Sequence, residues 1–221
     1  MESSGAENGG GVMRLLDLFC GAGGAGTGYH RAGFEVVGVD IEPMKDYPFE
    51  FHCADALSFI EKHGHEFDVI HASPPCQAFS MMQRVWKNQE THTDLIAPTR
   101  ALLVASGKPW VMENVVGAPL RVDMMLCGTM FGLDIIRHRI FESTVEMPVL
   151  MLSCNHHPRL FDPWHGPKSA TRYRQAMGID WITDVGGGGK KGEHARKGTL
   201  SHAIPPAYTH WIGKRLMEAQ P

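Results

Sequence analysis

The segment RLLDLFCGAGGAG, residues 14–26, joins a short apolar run to a cluster of glycines. It predicts a buried strand, a glycine turn and then a helix that extends through Tyr29 to Ala32. Small residues allow backbone to approach a ligand closely, and the free N–H groups at the start of a helix attract anionic groups. The turn alone is a weak signal, because such turns also occur without a ligand and its spacing is not G-x-G-x-x-G.

Short apolar runs and helical patterns alternate through most of the chain. The expected strands are Arg14–Phe19, Glu35–Val39, Phe49–Cys53, Phe67–Ala72, Trp110–Met112 and a later one that includes Ile140 and Phe141. Helices are expected around Leu57–Glu61, over Leu95–Ala105, and over Ile204–Met217, where Pro205-Pro206 suits a first turn. The alternation predicts an α/β fold with a doubly wound, mostly parallel sheet.

The composition is that of an ordinary soluble protein, with 43% hydrophobic and 20% charged residues among 221. No apolar run is long enough for a membrane span and no secretory pattern is present, so a cytoplasmic location is expected. The five cysteines are odd in number and far apart, which fits a reducing compartment. Basic residues outnumber acidic ones only after residue 150, so that part either helps to hold a polyanion or carries a chance imbalance.

Acidic residues follow two of the expected strands. Asp40 ends the second strand, where a carboxylate can accept hydrogen bonds from ribose hydroxyls, and Asp55 after the third could accept from an adenine amino group. Ile41 could cover one face of the adenine. Each aspartate could instead cap a helix. Together they favour an adenosine-containing cofactor, and on these features alone an NAD enzyme is the alternative.

The segment SPPCQAFS, residues 73–80, follows the fourth strand and places Cys76 at the same sheet edge. Two prolines stiffen the approach, and a cleft-facing cysteine near positive groups can be held as the thiolate that attacks carbon. Glu113-Asn114-Val115 follows the fifth strand, which brings Glu113 to that edge as a proton or hydrogen-bond donor.

With these motifs in this order, the chain resembles the DNA cytosine carbon-5 methyltransferases over residues 13–142 and 172–213. The resemblance implies a Rossmann-like fold of the S-adenosylmethionine-dependent methyltransferases, with S-adenosylhomocysteine as the product of the cofactor. The cofactor-binding residues that it implies are Asp17, Phe19, Gly21, Ala22, Gly23, Gly24, Asp40, Ile41, Asp55, Ala56 and Pro75.

The resemblance also implies a mechanism. Cys76 would add to carbon 6 of a cytosine flipped out of DNA, Glu113 would protonate or hydrogen-bond ring nitrogen 3, and Arg139 would support the ring carbonyl. Arg137 is the other member of the catalytic arginine pair. The substrate-binding residues that we expect are Gln77, Ser80, Asn114, Arg172 and Arg174.

The expected organisation is a flexible leader (1–11), a catalytic and cofactor-binding domain (12–142), a reduced target-recognition insert (143–171) and a C-terminal segment that returns to the catalytic domain (172–221). So short an insert predicts a very short recognised site in double-stranded DNA, loose specificity, or reliance on a partner subunit. The family usually has Glu where this chain has Asp40, which predicts weaker cofactor binding unless Glu42 assists.

Zinc is suggested by Cys154, His156, His157 and His165 in the insert, but their spacing matches no common zinc finger, so we expect no metal. Two alternatives to DNA methylation stay open: methylation of an RNA such as transfer RNA, and a catalytically silent module that binds the cofactor or DNA. The intact Cys76, Glu113 and Arg139 argue against the silent module. The small size suggests a bacterial or phage enzyme of the restriction-modification type, in the cytoplasm or at the nucleoid.

Overall fold

The computed structural model describes residues 11–75, 94–147, 153–157, 170–183 and 199–219. The strands in these ranges are β1 (Arg14–Leu18), β2 (Glu35–Asp40), β3 (Glu50–Cys53), β4 (Val69–Ala72), β5 (Trp110–Asn114), β6 (Met124–Leu126) and β7 (Arg139–Ser143). The helices are α1 (Gly24–Ala32), α2 (Ala56–His63), α3 (Ile96–Ala105), α4 (Ala170–Met177), α5 (Thr199–His202) and α6 (Pro206–Glu218). Two short 3-10 helices span Gly64–Glu66 and Gly128–Phe131. None of the helices in these ranges has the length and apolar character that a membrane span requires.

All seven strands form one sheet in the order β3-β2-β1-β4-β5-β7-β6. β1 to β5 are parallel to their neighbours, whereas β7 runs antiparallel to both β5 and β6. The predicted doubly wound, mostly parallel α/β sheet is therefore confirmed. The alternation of strands and helices did not predict β6 or the insertion of β7 beside β5.

The strand order reverses between β1 and β4, which lie side by side at the centre of the sheet. In open α/β sheets a crevice forms outside the carboxyl ends of the strands at such a reversal. Here the backbone N–H of Ser73 donates to the carbonyl of Leu18 at 3.1 Å, so the two strand ends stay together. The crevice therefore lies between the glycine turn after β1 and the Ser73–Pro75 segment after β4.

Both faces of the sheet are covered. Leu16, Leu18 and Val37 pack with α2 and α3 on one face, and Leu15, Val36 and Val69 pack with α1 and α6 on the other. Strands buried on both sides read as continuous apolar runs, which is why the sequence shows β1 and β2 so clearly.

Helices α1 and α6 approach closely because glycines line their contact. A Cβ added at Gly28 would overlap the Thr209 hydroxyl and the backbone carbonyl of Pro206, and one at Gly213 would lie 2.7 Å from Ala32 Cβ. The close approach lets the Thr209 hydroxyl donate to the carbonyl of Ala25 at 2.8 Å. Closing the core on this face therefore requires glycine at these positions.

The glycine turn rests on Asp17, whose side chain is fully buried beneath it. The carboxyl group accepts hydrogen bonds from the Tyr47 hydroxyl, at 3.4 Å, and from the backbone N–H of Gly26. Burial raises the pKa of Asp17 from its ordinary 3.8 to about 7. Asp17 thus supports the turn from inside the core, and its predicted contact with a cofactor remains a prediction.

Replacing Gly28 with Ala should lower the free energy of unfolding by about 1–3 kcal/mol. The added methyl group overlaps backbone of α6, which cannot move aside as a flexible side chain can, and this outweighs the roughly 1 kcal/mol by which Ala favours a helix. Urea denaturation measures the change. Gly11→Ala is the control, because nothing lies within 4 Å of its added Cβ, and a Gly28→Ala variant as stable as the wild type would contradict the packing argument.

Replacing Asp17 with Asn should change how stability depends on pH. The native carboxyl group holds its proton up to about pH 7, whereas the unfolded chain loses it above its ordinary pKa of 3.8, so this group makes the wild type less stable as pH rises between those values. Asn has no such proton. The free energy of unfolding of the variant minus that of the wild type should therefore grow by up to about 1.4 kcal/mol per pH unit.

Urea denaturation from about pH 5 to about pH 7 tests this difference. Asp180→Asn, at an exposed position, is the matched control and should leave the slope unchanged. A constant difference between Asp17→Asn and the wild type over this interval would show that Asp17 is ionised in the folded protein.

Candidate active site

Glu113 lies near the carboxyl end of β5 and is only 6% exposed. Arg139, the first residue of the neighbouring strand β7, places its Nε atom 2.8 Å from Glu113 Oε1. The pair is ionic rather than an aligned hydrogen bond, and Oε1 has no hydrogen-bond partner among the described residues. The carboxyl group therefore keeps the capacity to bond a further polar group.

Burial raises the pKa of Glu113 above its ordinary value of 4.5, although Arg139, Arg137 and a hydrogen bond from Ser73 each act to lower it. Desolvation is the largest effect because the side chain is almost completely removed from water. A carboxyl group with a raised pKa is better able to carry a proton near neutral pH, which is what a general acid needs.

A buried hydrogen-bond chain leads to Glu113 from the core. The Tyr29 hydroxyl lies 3.0 Å from His71 Nδ1, and His71 Nε2 lies 2.9 Å from the Ser73 hydroxyl, which bonds Glu113. Burial lowers the pKa of His71 to about 3 and raises that of Tyr29, so both are neutral. Because Ser73 donates to Glu113, its oxygen is free to accept from His71 Nε2–H, and Nδ1 then accepts from Tyr29. The chain fixes the carboxyl group in one orientation.

Asn114 anchors the segment that leads to Cys76. Its side-chain N–H donates to the carbonyl of Pro74 at 3.0 Å, and its side-chain oxygen accepts from the N–H of Val115 at 2.9 Å. The residue is 1% exposed. It was predicted to bind substrate, but in this structure both ends of its amide bond the protein's own backbone, so it positions the Pro74-Pro75 turn.

Pro75 is exposed and is the last described residue before a gap. Cys76, Gln77 and Ser80 lie outside the described residues, so their predicted roles remain predictions. The structure does show that the chain enters this segment at the crevice, because Ser73 and Pro74 are held by Leu18 and Asn114.

Asp40 and Asp55, the two predicted cofactor-binding aspartates that follow β2 and β3, both contact backbone. Asp40 accepts from the N–H groups of Gly21, at 2.9 Å, and Glu42, at 3.1 Å. Asp55 caps α2 by accepting from the N–H of Ser58 at 2.8 Å, so the capping alternative is realised. Capping uses one oxygen of an exposed carboxylate, and the other is still available to a ligand.

The remaining predicted cofactor residues differ in their surroundings. Gly21 has φ +50° and nothing within 4 Å of an added Cβ, so it borders open space, whereas Gly23 packs against Pro48 and Gly24 against Ile204. Ile41 is 69% exposed beside Asp40. The others are Phe19, which has φ +57° and is partly buried, and the buried residues Ala22 and Ala56.

The two predicted catalytic arginines have different environments. Arg137 is 2% exposed, its Nη2 atom donates to the carbonyl of Ser201 at 2.9 Å, and its own carbonyl accepts from the Tyr208 hydroxyl at 2.6 Å. Burial lowers the pKa of Arg137 to about 10, so it stays charged near neutral pH. Arg137 therefore acts on Glu113 through its charge, whereas Arg139 contacts it.

The predicted substrate arginines also differ. Arg174 donates from Nε to the carbonyl of Ile182 at 2.7 Å and from Nη2 to that of Thr183 at 3.3 Å. Arg174 thus holds the turn after α4, while Arg172 is exposed. A contact that the sequence did not predict lies beside this turn: Trp181 donates from its indole N–H to the carbonyl of Ala22 at 2.9 Å, which brings the C-terminal segment onto the glycine turn.

Sequence reasoning also missed Tyr29, His71 and Ser73. One signal was available, because His71 interrupts an otherwise apolar strand, and a histidine buried between two sheet faces needs polar partners. Trp181 offered no comparable signal, since a single aromatic residue in an irregular segment usually packs against a core.

Comparison with known proteins identifies the chain's relatives. Residues 13–119 match the sequence model of the C-5 cytosine-specific DNA methylases. Type II methyltransferase M.XorII of Xanthomonas oryzae pv. oryzae is 30% identical over 118 residues, which is 46% of this chain and 28% of the relative. Type II methyltransferase M1.HphI of Haemophilus parahaemolyticus is 32% identical over 120 residues, or 47% and 32%. The chain thus spans about a third or less of these relatives' length.

The solved structure of the methyltransferase EhMeth of Entamoeba histolytica covers 94% of this chain and 98% of its own, with a TM-score of 0.58 and 11% identity. At that identity the likeness shows the fold alone, which is the Rossmann-like fold of the methyltransferases. The sequence matches cover β1 to β5 and so include the glycine turn, Glu113 and the segment that holds Cys76. Residues 13–119 therefore carry the sequence signature of the C-5 cytosine-specific DNA methylases.

Proposed function

We propose that this chain transfers a methyl group from S-adenosylmethionine to carbon 5 of cytosine in DNA. The observation that carries the proposal is the buried Glu113, paired with Arg139 at the edge of the sheet where the chain enters the Cys76 segment. Burying a carboxyl group costs free energy, so such groups cluster at functional sites. Here Oε1 is paired with the charge of Arg139 but accepts no hydrogen bond from the described residues.

The crevice at the reversal of strand order fits an adenosine-containing cofactor. Gly21 borders open space, the N–H groups at the start of α1 face the same end of the sheet, and Ile41 offers an exposed apolar surface. Asp40 places a carboxylate at the end of β2, and Asp55 places one between β3 and α2. When bound there, S-adenosylmethionine supplies an electrophilic methyl group.

The protein's own residues then have to make carbon 5 of cytosine nucleophilic. The Cys76 thiolate adds to carbon 6, and the electron pair of the ring double bond moves toward ring nitrogen 3, where Glu113 supplies a proton or a hydrogen bond. Arg139 supports the ring carbonyl oxygen. After methyl transfer, ring nitrogen 3 returns any proton it received to Glu113, and loss of the carbon-5 proton to solvent restores the double bond and expels Cys76 as the thiolate.

The raised pKa of Glu113 suits this role, because a proton held by the carboxyl group is delivered to a ring nitrogen that becomes more basic as the thiolate adds. Ser73, His71 and Tyr29 keep the carboxyl group from rotating away. Carbon 6 is inaccessible within a stacked duplex, so the reaction requires the base to be flipped out of the helix.

Double-stranded DNA is the proposed substrate, with exposed Arg172 among the residues that would meet its phosphates. The predicted recognition insert is short for reading base edges in the major groove, which favours a very short site or a partner subunit that supplies the remaining contacts.

Substrate DNA that contains 5-fluorocytosine should trap a covalent complex with the protein in the presence of S-adenosylmethionine. Fluorine cannot leave as the proton does, so the Cys76 adduct cannot resolve, and a band resistant to denaturation should appear on a gel. Cys76→Ala should abolish the band, whereas Cys53→Ser, at an exposed free cysteine on β3, should not.

A parallel reaction with transfer RNA that contains 5-fluorocytosine shows whether the substrate is DNA or RNA. An adduct with RNA and none with DNA would overturn the proposed substrate while keeping the nucleophile. An adduct that persists in Cys76→Ala would overturn the nucleophile itself.

Glu113→Gln should lower the rate of methyl transfer by about 100-fold or more, because the amide cannot deliver a proton to ring nitrogen 3. Cofactor affinity, measured by calorimetry, should remain near that of the wild type. Glu61→Gln, at an exposed position on α2, is the control and should keep full activity. A Glu113→Gln variant with wild-type rates would remove the carboxyl group from the mechanism.

A further inference from the structure

Two cysteines and two histidines meet beside the active-site arginines. The side chains of Cys127, His138, Cys154 and His156 place one ligand atom each within 4.8 Å of all the others. Cys127 Sγ lies 3.4 Å from His156 Nε2, and Cys154 Sγ lies 3.5 Å from His138 Nε2. Sequence spacing predicted no metal site, so this cluster is a product of the fold.

The spacing of these atoms suits a tetrahedral ion. Zinc binds sulfur at about 2.3 Å and imidazole nitrogen at about 2.0–2.1 Å, so two neighbouring ligands of one ion lie about 3.3–3.8 Å apart. Both measured sulfur–nitrogen distances fall in that range. The rings of His138 and His156 are nearly perpendicular, with centroids 5.0 Å apart, so each Nε2 atom approaches the common centre from its own direction.

Hydrogen bonds hold the Cys127 sulfur in place. Its sulfur accepts from the backbone N–H of Met130 at the start of the 3-10 helix, and the Thr129 hydroxyl donates to it at 3.5 Å. Thr129 in turn accepts from the backbone N–H of Asn155 at 3.3 Å. Such outer hydrogen bonds orient metal ligands and stabilise their negative charge. Here they also join the two segments that supply the cysteines.

The donor set indicates which ion. Two thiolates and two imidazoles in a tetrahedral arrangement select zinc over the oxygen-preferring ions, and a set of four protein ligands leaves no open position for a substrate. Without a metal ion, the four side chains would make only two weak thiol–imidazole contacts. Contacts this weak do not explain why four such side chains from distant parts of the chain meet at one point. A disulfide between Cys127 and Cys154 is the competing use of the two sulfurs.

The position of the cluster indicates a structural role. Cys127 directly follows β6, and His138 directly precedes β7 between Arg137 and Arg139. Cys154 and His156 belong to the predicted recognition insert. The Arg139 guanidinium also donates to the carbonyl of His138 at 2.8 Å, so the backbone at His138 contributes to the placement of Arg139.

The geometry points to a structural zinc site formed by Cys127, His138, Cys154 and His156, which fastens the recognition insert to the strand that carries Arg139. The site is independent of the proposed methyl transfer, because it would hold the same segments together in a chain with any activity at this crevice.

The test is metal analysis of the 221-residue protein after reconstitution with zinc and removal of loosely bound ion. We expect one zinc per chain. Cobalt in place of zinc should give the visible d–d bands of a tetrahedral ion and the near-ultraviolet thiolate-to-cobalt charge transfer. These measurements on the wild type do not depend on whether any variant folds.

Variants then assign the ligands. Cys127→Ser and Cys154→Ser should each weaken zinc binding, measured by competition with a chromophoric chelator, by at least about 100-fold, since changes in the outer shell already cost about 10–100-fold. Thr129→Val should weaken it by about tenfold for that reason. His157→Ala, at the exposed residue next to His156, and Cys53→Ser are matched controls and should keep one zinc per chain.

Three results would overturn the site. They are a reduced wild-type protein that retains no zinc, a cobalt spectrum without thiolate charge transfer, and peptide mapping that finds Cys127 joined to Cys154 in a disulfide in protein prepared under reducing conditions.

Discussion

The ion pair between Glu113 and Arg139 is the interaction around which the active edge of the sheet is arranged. An unpaired carboxylate buried this deeply would cost several kcal/mol, so the fold has to deliver a cation to it from another strand. Antiparallel pairing of β7 with β5 does so, because it sets the beginning of β7 beside the end of β5. The insertion of β7 between β5 and β6 therefore determines where Arg139 lies. It is the means by which an arginine reaches the carboxyl end of a parallel strand.

The support for this pair comes from three directions. Ser73, His71 and Tyr29 hold the carboxyl group from the core. Tyr208 and Ser201 hold Arg137, whose charge also acts on Glu113, from the C-terminal helices. The third support is the contact between Arg139 and the carbonyl of His138, at the edge of the cysteine–histidine cluster. Rigid surroundings of this kind keep a reacting group in one geometry, so little has to be reorganised when a substrate enters.

The sequence predicted the central strands well, because strands buried on both faces are continuous apolar runs and a glycine turn marks the end of β1. It could not predict β6, which has three residues, or the direction of β7, since both depend on pairing between distant segments. The motifs predicted functional roles for Arg137 and Asn114, and both side chains are buried in the structure. Asn114 bonds neighbouring backbone, which depends on packing that a motif does not describe. The sequence suggested zinc at Cys154 and His156, but their spacing argued against it. The other two members of the cluster, Cys127 and His138, lie at the end of one strand and the start of another, so no local spacing reveals the set.

The tight contact of α1 with α6 has a consequence for how the chain is made. The first helix offers its apolar face, with Ala25 and Tyr29, to residues that lie some 180 positions later, as the hydrogen bond between Thr209 and Ala25 shows. During synthesis that face stays uncovered until α6 has left the ribosome, and contacts of such long range slow folding. Residues 13–119, which carry the family's sequence signature, therefore lack the residues of α6 that complete the core cluster on this face of the sheet. A chain that stops before α6 would therefore leave this apolar face exposed to water.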